Sequence, residues 1–403
     1  MSNLQGLLGL AVIFAVALVA SNNRRAINPR TVVLALAFQV LFAFGVLKWS
    51  VGRDALDFVS KQVAALIGYA DSGSEFLFGR LLEGEGTIFA LQVLPVIVFI
   101  GALVGLLYYL RVVQFFVEFV GGAIAWLLKT SKIESVWATT VIFLGQTEAP
   151  LLIAPWLNRV TRSELFAIMT GGFASVAGST LVGYALLGAP LPFLLAATVM
   201  NAPGALLIAK MMHPETERSE AHAHVRDVRD EESANVIDAT GRGALAGGRI
   251  AVIVAAMLIA FIALIAMANG ILSGIGGWFG YDELTFQKVL GWAFSPVAWL
   301  IGVPWSEAAE AGNYIGIKTV LNEFVAFAEF GPNVDQLSDK TVLVTTFALA
   351  GFANFASIAI QIGAIGGLAP GRRAEVARFG LKALLAGTLV NLSNAAIAGV
   401  VAG

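Results

Sequence analysis

Two carboxylates are the residues of this chain hardest to explain as ordinary structure. Glu148 lies in Gly145-Gln146-Thr147-Glu148-Ala149-Pro150, between the apolar pieces Val136–Leu144 and Leu151–Leu157. Glu323 follows Asn322 inside the apolar stretch from Gly316 to Phe330. Gln146, Thr147, Asn322, Asn354 and Ser357 offer donors and acceptors without charge. A ligand matched to that set is neutral and polar, rich in hydroxyls and ring nitrogens. An anion would require Arg or Lys beside it, and neither polar turn carries one. Lys318 stands one turn before Glu323, either as its salt-bridge partner or further from the turn. The plainer alternative is that each carboxylate only caps a short helix or closes a hydrogen-bonded pair.

What must position these groups is a set of helices in lipid. Apolar residues make up 58% of the chain and charged residues 13%, with a mean hydropathy of +0.82. Soluble domains carry about a quarter charged residues, and a single core stops growing near about 250–300 residues. A 403-residue chain of this composition therefore needs the bilayer as solvent. The first apolar run, Leu4 to Ala20, lacks a preceding basic residue and a clear cleavage site, so it reads as a span and not a signal peptide. Eight runs near the spanning length of about 20 residues fall at 4–20, 31–48, 87–110, 163–187, 190–210, 249–271, 341–367 and 379–402. Basic residues cluster at Arg24, Arg25 and Arg30, between Arg111 and Arg162, and from Arg372 to Lys382, while 52–85 leans acidic. With basic loops inside the cell, eight crossings leave both termini outside.

Two stretches are not simple spans. In 133–158 each apolar piece is too short to cross, and the polar turn at Gly145–Pro150 lies between them. In 288–330 the pieces Val289–Val303 and Gly316–Phe330 flank Pro304–Asn313. Both read as re-entrant hairpins, which tolerate irregular backbone and carboxylates at depth only in protein or a wet cavity. Phe-Ala-Ser-aliphatic-Ala occurs at Phe173–Ala177 and again at Phe355–Ala359, each time in a spanning helix after a hairpin. Repeats with broken helices and a midplane site typify secondary transporters. The glycines at Gly171-Gly172 and Gly351 permit unwinding there, freeing carbonyls that suit a small hard cation; close helix packing is the alternative.

Several function classes are excluded or disfavoured. There is no cysteine, hence no disulfide framework and no thiolate chemistry. A net charge of −2 gives no reason to expect nucleic acid. His213, His222 and His224 lie in the polar segment 212–248, which reads as a solvated linker in preference to a metal site. An intramembrane enzyme would want a nucleophile–base or zinc arrangement that is missing from the spans. A passive channel shares re-entrant hairpins and stays open as an alternative.

Gly-Gln-Thr-Glu-Ala-Pro (145–150), Asn-Glu-Phe-Val-Ala-Phe (322–327) and Gly-Phe-Ala-Asn-Phe-Ala-Ser-Ile-Ala-Ile-Gln-Ile-Gly (351–363) resemble the motifs of the concentrative nucleoside transporters, in the same order and over nearly the whole chain. The resemblance implies an all-α membrane protein of about eight transmembrane helices plus two re-entrant hairpins, with an inverted-repeat transport domain and two broken helices. It implies a homotrimer of nucleoside symporters, of bacterial inner-membrane type, working by an elevator motion. Gln146, Thr147 and Glu148 would face the base of a uridine-like substrate. Glu323, Asn354 and Ser357 would face the ribose, with Phe352 packing nearby. Sodium, favoured over protons, would bind largely main-chain oxygens of Val141, Leu144, Ser175 and Val176, with no other cofactor. Many sodium-coupled members have Asn where this chain has Val141; with proton coupling, Glu148 would carry the proton. A proton-coupled symporter and a carrier of another neutral solute, such as a free nucleobase, are the nearest alternatives. The expected division is 1–132 scaffold helices and an interfacial helix; 133–210 first hairpin, broken helix four and helix five; 211–248 cytoplasmic loop; 249–287 scaffold helix six; 288–370 second hairpin and broken helix seven; 371–403 helix eight.

Overall fold

A computed structural model of the chain describes residues 2–82, 88–219, 228, 230, 232–278 and 283–402. Among these, every regular element is helical. The order is α1 (Ser2–Val19), α2 (Pro29–Leu47), α3 (Ser50–Phe78), α4 (Phe89–Gln92), α5 (Leu94–Tyr109), α6 (Val112–Leu128), α7 (Lys132–Thr140), α8 (Ala149–Ile153) and α9 (Arg162–Ala174). It continues with α10 (Gly178–Leu186), α11 (Leu191–Met212), α12 (Val236–Gly277), α13 (Phe286–Leu300), α14 (Trp305–Val320), α15 (Glu323–Phe330), α16 (Asp339–Leu349), α17 (Phe355–Leu368) and α18 (Arg373–Ala402).

All eight expected spans coincide with helices. Six stretches among the described residues are long and apolar enough to cross outright, and the bent pair α13–α14 makes a seventh if taken as one span. The expected crossings at 4–20 and 341–367 fall outside these six: α1 has a short apolar part, and α16 and α17 are separate half-helices. Burial sorts the six. The windows in α9–α10, α11 and α18 are 89%, 72% and 78% buried within the protein, whereas those in α2, α5 and α12 are 22% buried. The first group forms a centre and the second presents most of its surface outward.

The hairpins and breaks follow from local chemistry. Ser131 and Glu134 form a capping box that starts α7, and Thr161 and Glu164 do the same for α9. Near the end of α7, Thr139 and Thr140 turn their hydroxyls onto the carbonyls of Ser135 and Val136, a bond that competes with the regular ladder. The chain then turns at 141–148 and returns as α8. Its counterpart is α14 and α15, separated by Leu321 and Asn322, with the Asn322 side chain accepting from Val325 N at 3.0 Å. Helix α9 stops where Ser175 adopts extended backbone, and α16 stops at Ala350. After each break a new half-helix begins, the second capped by Asn354.

Four expectations need correction. The turn placed at Pro304–Asn313 is helical; the chain bends by 114° at 301–304, where Gly302 has φ +114°, and α14 runs on from there. The polar residues that marked a turn instead line the start of α14, where Glu307 accepts from the Ser338 and Thr341 hydroxyls. The polar segment taken to 248 ends earlier, because Asn235 caps α12 through Ile237 N and Asp238 N. His222 and His224, like Glu83 and Glu85, lie outside the described residues. The Phe-Ala-Ser repeat in letters is not the repeat in structure: Ser175 closes the first half-helix of its pair, whereas Ser357 sits in the first turn of the second. The acidic stretch from 52, expected to lie between spans, is helical: an interfacial helix was expected within 1–132 without bounds, α6 was given none, and the acidic residues of 52–78 belong to the polar face of the 29-residue amphipathic helix α3.

Candidate functional site

The structure joins the two hairpin tips to the two breaks. Glu323 opens α15 and is 4% exposed. Its carboxylate accepts from Tyr184 Oη at 3.1 Å and from Asn354 Nδ2 at 2.8 Å. Asn354 Oδ1 in turn accepts from Ser357 N at 2.9 Å, so one amide both caps α17 and holds the carboxylate. The ring of Tyr184 stacks on Phe327 at 4.5 Å and meets Phe324 edge-on at 4.7 Å. Across the site, Gln146 Nε2 donates to Ser357 Oγ at 2.9 Å, and Gln146 Oε1 accepts from Gln361 Nε2 at 3.1 Å. Gln361 also donates to the Met169 carbonyl at 3.1 Å, tying the first hairpin tip to the first broken helix.

Glu148 turns back on its own tip, where Gly145 N donates to its Oε2 at 2.9 Å. It is half-buried, and Thr147 beside it is exposed. Gly145 sits close against both: an added Cβ would stand 2.9 Å from that carboxylate oxygen, which would have to move, and 3.2 Å from Ala177 Cβ. The tip is thus pressed against the break in α9–α10, and Gly178 N donates to the Phe143 carbonyl at 3.3 Å. Phe352 lies in the second break, buried, with its N–H on the Ser175 carbonyl at 3.1 Å. The two breaks are therefore hydrogen-bonded to each other through their backbones.

That bond takes one of the two lone pairs on the main-chain oxygen of Ser175. Its hydroxyl, donating to Gly172 O at 3.3 Å, keeps a lone pair free. Among the described residues, no backbone N–H is bonded to the carbonyls of Val141, Leu144 or Val176. These three carbonyls and the hydroxyl belong to the tip and the break, and oxygen is the ligand type a small hard cation takes. The side chain at Val141 adds no ligand.

Lys318, left open between two readings, is no ion-pair partner of Glu323. Its ammonium, 3% exposed, donates to Ala348 O and to Asn391 Oδ1, each at 2.7 Å. Asn391 Nδ2 lies 2.9 Å from Ala174 O, 3.0 Å from Ala350 O and 3.2 Å from Asn201 Oδ1. Asn201 donates to Ala350 O at 3.0 Å and accepts from Asn394 at 2.8 Å. Sequence reasoning missed Tyr184, Gln361, Asn201 and Asn391. The available signal was polarity in apolar helices, since a buried tyrosine or amide needs a partner.

Comparison with known proteins bears on what this arrangement does. Residues 8–81 match the family model described as the N-terminus of the Na+ dependent nucleoside transporters, 90–191 the one described as nucleoside recognition, and 193–399 the C-terminus of the same transporters. The chain is 52% identical over 402 residues to the uncharacterized transporter YutK of Bacillus subtilis, covering 99% of this chain and 100% of that one. It is 43% identical over 414 residues to the nucleoside permease NupC of Helicobacter pylori, covering 100% and 98%. Among solved structures, CNTnw in an inward-facing substrate-bound state matches with a TM-score of 0.95 at 50% identity, over 100% of this chain and 98% of that one.

Proposed function

Because this chain belongs to the concentrative nucleoside transporter family, whose members here are permeases and not enzymes, we propose that it is a sodium-driven nucleoside symporter. The observation that carries the reading is the pairing of neutral amides and hydroxyls from both halves around one buried carboxylate, Glu323. Glu323, Asn354 and Ser357 take the ribose hydroxyls, with Phe352 packing beside them; a carboxylate and an amide oxygen are suited to accept from paired hydroxyls. Gln146, Thr147 and Glu148 take the base, whose N–H groups need acceptors. Substrate entry exchanges the bonds among these side chains for bonds to the nucleoside, so the site stays satisfied at each stage. Sodium travels with the substrate, held by the carbonyls of Val141, Leu144 and Val176 and by Ser175 Oγ. The name of the matching family supports that ion, and the free carbonyls suit it.

The packing supports an elevator motion with a boundary different from the one expected from sequence. Helices α5 and α12 meet along a seam of glycines, where a Cβ on Gly101 would stand 2.7 Å from Gly243 O and one on Gly105 2.8 Å from Ala239 O. Helices α1 and α2 instead pack on α11 and α18, alongside the broken helices. The stationary part is therefore α5 with α12, and α1 and α2 travel with the substrate-bearing body. We take the protein as a homotrimer of the bacterial inner membrane with both termini outside.

Competition separates a nucleoside from a nucleobase carrier. Unlabelled uridine in excess is expected to abolish labelled uridine uptake, and uracil at the same concentration to leave most of it. Equal inhibition by both would remove the ribose contacts from the account.

A further inference from the structure

Among the buried charges of the described residues that the mechanism above does not use, Lys318 is one without a carboxylate in salt-bridge contact, unlike Lys210 with Glu134. Lys318 sits two residues before the end of α14, at the second hairpin tip, and its ammonium reaches the Ala348 carbonyl in the last turn of half-helix α16. The last carbonyls of a helix lack intrahelical partners and carry the negative end of its dipole. The orphan carbonyls of α16 are filled in turn: Ala348 by Lys318, Leu349 by Gly351 N, and Ala350 by Asn201 and Asn391. At the corresponding end of α9, Ala174 is filled by Asn391 and Ser175 by Phe352, and Val176 is left open beside the open carbonyls of the first tip. Each half thus brings a hairpin tip to the C-terminal end of a half-helix. Among the described residues both junctions keep carbonyls without a backbone N–H, Val176 at the first and Leu321 and Gly351 at the second, but only the second holds a positive charge.

We propose that the Lys318 ammonium is a tethered cation, filling at the second junction the place that the transported ion fills at the first. This inference rests on the sodium reading of the first junction. Asn391 links the two, since the amide that receives the ammonium on its oxygen donates from its nitrogen to Ala174 at the end of α9. The tethered charge holds the second tip, and with it Glu323 five residues on, in place whether or not sodium is bound. Sodium dependence is then confined to the first half. Lys318 is a positioning residue: it touches neither substrate nor ion.

The test is uridine binding to the purified full-length protein, and uptake in proteoliposomes, as sodium is titrated against choline. The variants are Lys318→Arg, Lys318→Gln and Lys318→Met. The glutamine variant removes the charge and keeps an N–H donor on a side chain one atom shorter, so of the uncharged variants it is the one most able to keep the fold, and elution as the wild-type oligomer checks that. The sodium midpoint for Lys318→Gln and Lys318→Met is expected to rise about threefold or more, the scale of losing a charge at a helix end, with a steeper dependence as sodium enters a second junction. Lys318→Arg is expected to follow the wild type. A sodium curve for Lys318→Gln that overlays the wild type would overturn the inference and leave Lys318 as a neutral tie. A wild type indifferent to sodium would overturn the sodium reading itself, and the tethered-cation inference with it.

Discussion

Glu323 shows how far single residues could be read. An intramembrane carboxylate costs at least about 2.5–3.5 kcal/mol without partners, so its importance was legible from its position alone. Its partner Asn354 was also named from sequence, while Tyr184, in a different helix, was not, because nothing local ties residue 184 to residue 323. Replacing Glu323 by Ala removes the acceptor for both groups. Affinity for uridine is expected to fall about tenfold or more, as for loss of charge-assisted hydrogen bonds, with a smaller loss for 2′,3′-dideoxyuridine. Competition binding with the two ligands checks this, and equal losses would contradict the ribose assignment. His213 concerns stability and not transport. It follows α11, packed between Phe166 and Phe379 with Nδ1 unpaired, and burial, then the charges of Lys382, Arg162 and Lys210, push its pKa down to about 4. The folded state thus holds the neutral ring, and the unfolded chain binds the proton from its ordinary value near about 6.5. Stability contributed by the neutral ring is whole above about pH 6.5 and is lost as pH falls toward about 4. His213→Phe is expected to flatten that fall in melting temperature, measured in detergent at pH 7 and pH 5; parallel curves would contradict it.

Elements were legible where their apolar length was complete, and lost where polarity meant a helix face. The second hairpin shows the difference. Ser306, Glu307 and Glu310 read as a turn, yet they lie on α14, where Glu307 is bound by Ser338 and Thr341, and Glu310 by Tyr314. Likewise α3 hid behind its acidic residues because a mean over its length averages its two faces. Of the two breaks only the second was marked by glycine, at Gly351; Gly171 and Gly172, where unwinding was expected, lie within α9, and the first break follows them at 175–177. Gly351 has a reason beyond backbone freedom: an added Cβ would stand 2.5 Å from the Ala174 carbonyl and 2.6 Å from Asn391 Nδ2. Gly351→Ala is expected to cost about 1–3 kcal/mol, as for overpacking, and to separate the two breaks where Phe352 meets Ser175. Lower thermal stability together with weakened uridine binding is the expected result. A variant that melts and binds as the wild type does would mean the breaks are not held as described.

At the scale of the molecule, the chain is a nucleoside transporter whose polar centre is built from two halves that each lack something. The first half offers free carbonyls and an acceptor-rich tip, and the second offers a buried carboxylate and a buried ammonium. Their arrangement around Asn201 and Asn391 was not legible in the sequence, since it depends on helices far apart in the chain meeting at their amides. The claim that joins these parts is that a sodium gradient drives nucleoside accumulation through this centre. Radiolabelled uridine uptake into proteoliposomes, with an inward sodium gradient, an inward proton gradient or neither, tests it most directly. Accumulation above equilibrium under the sodium gradient alone is expected, with Val141 acting through its carbonyl. Accumulation under the proton gradient alone would contradict the sodium site and move coupling to a carboxylate, Glu148 first.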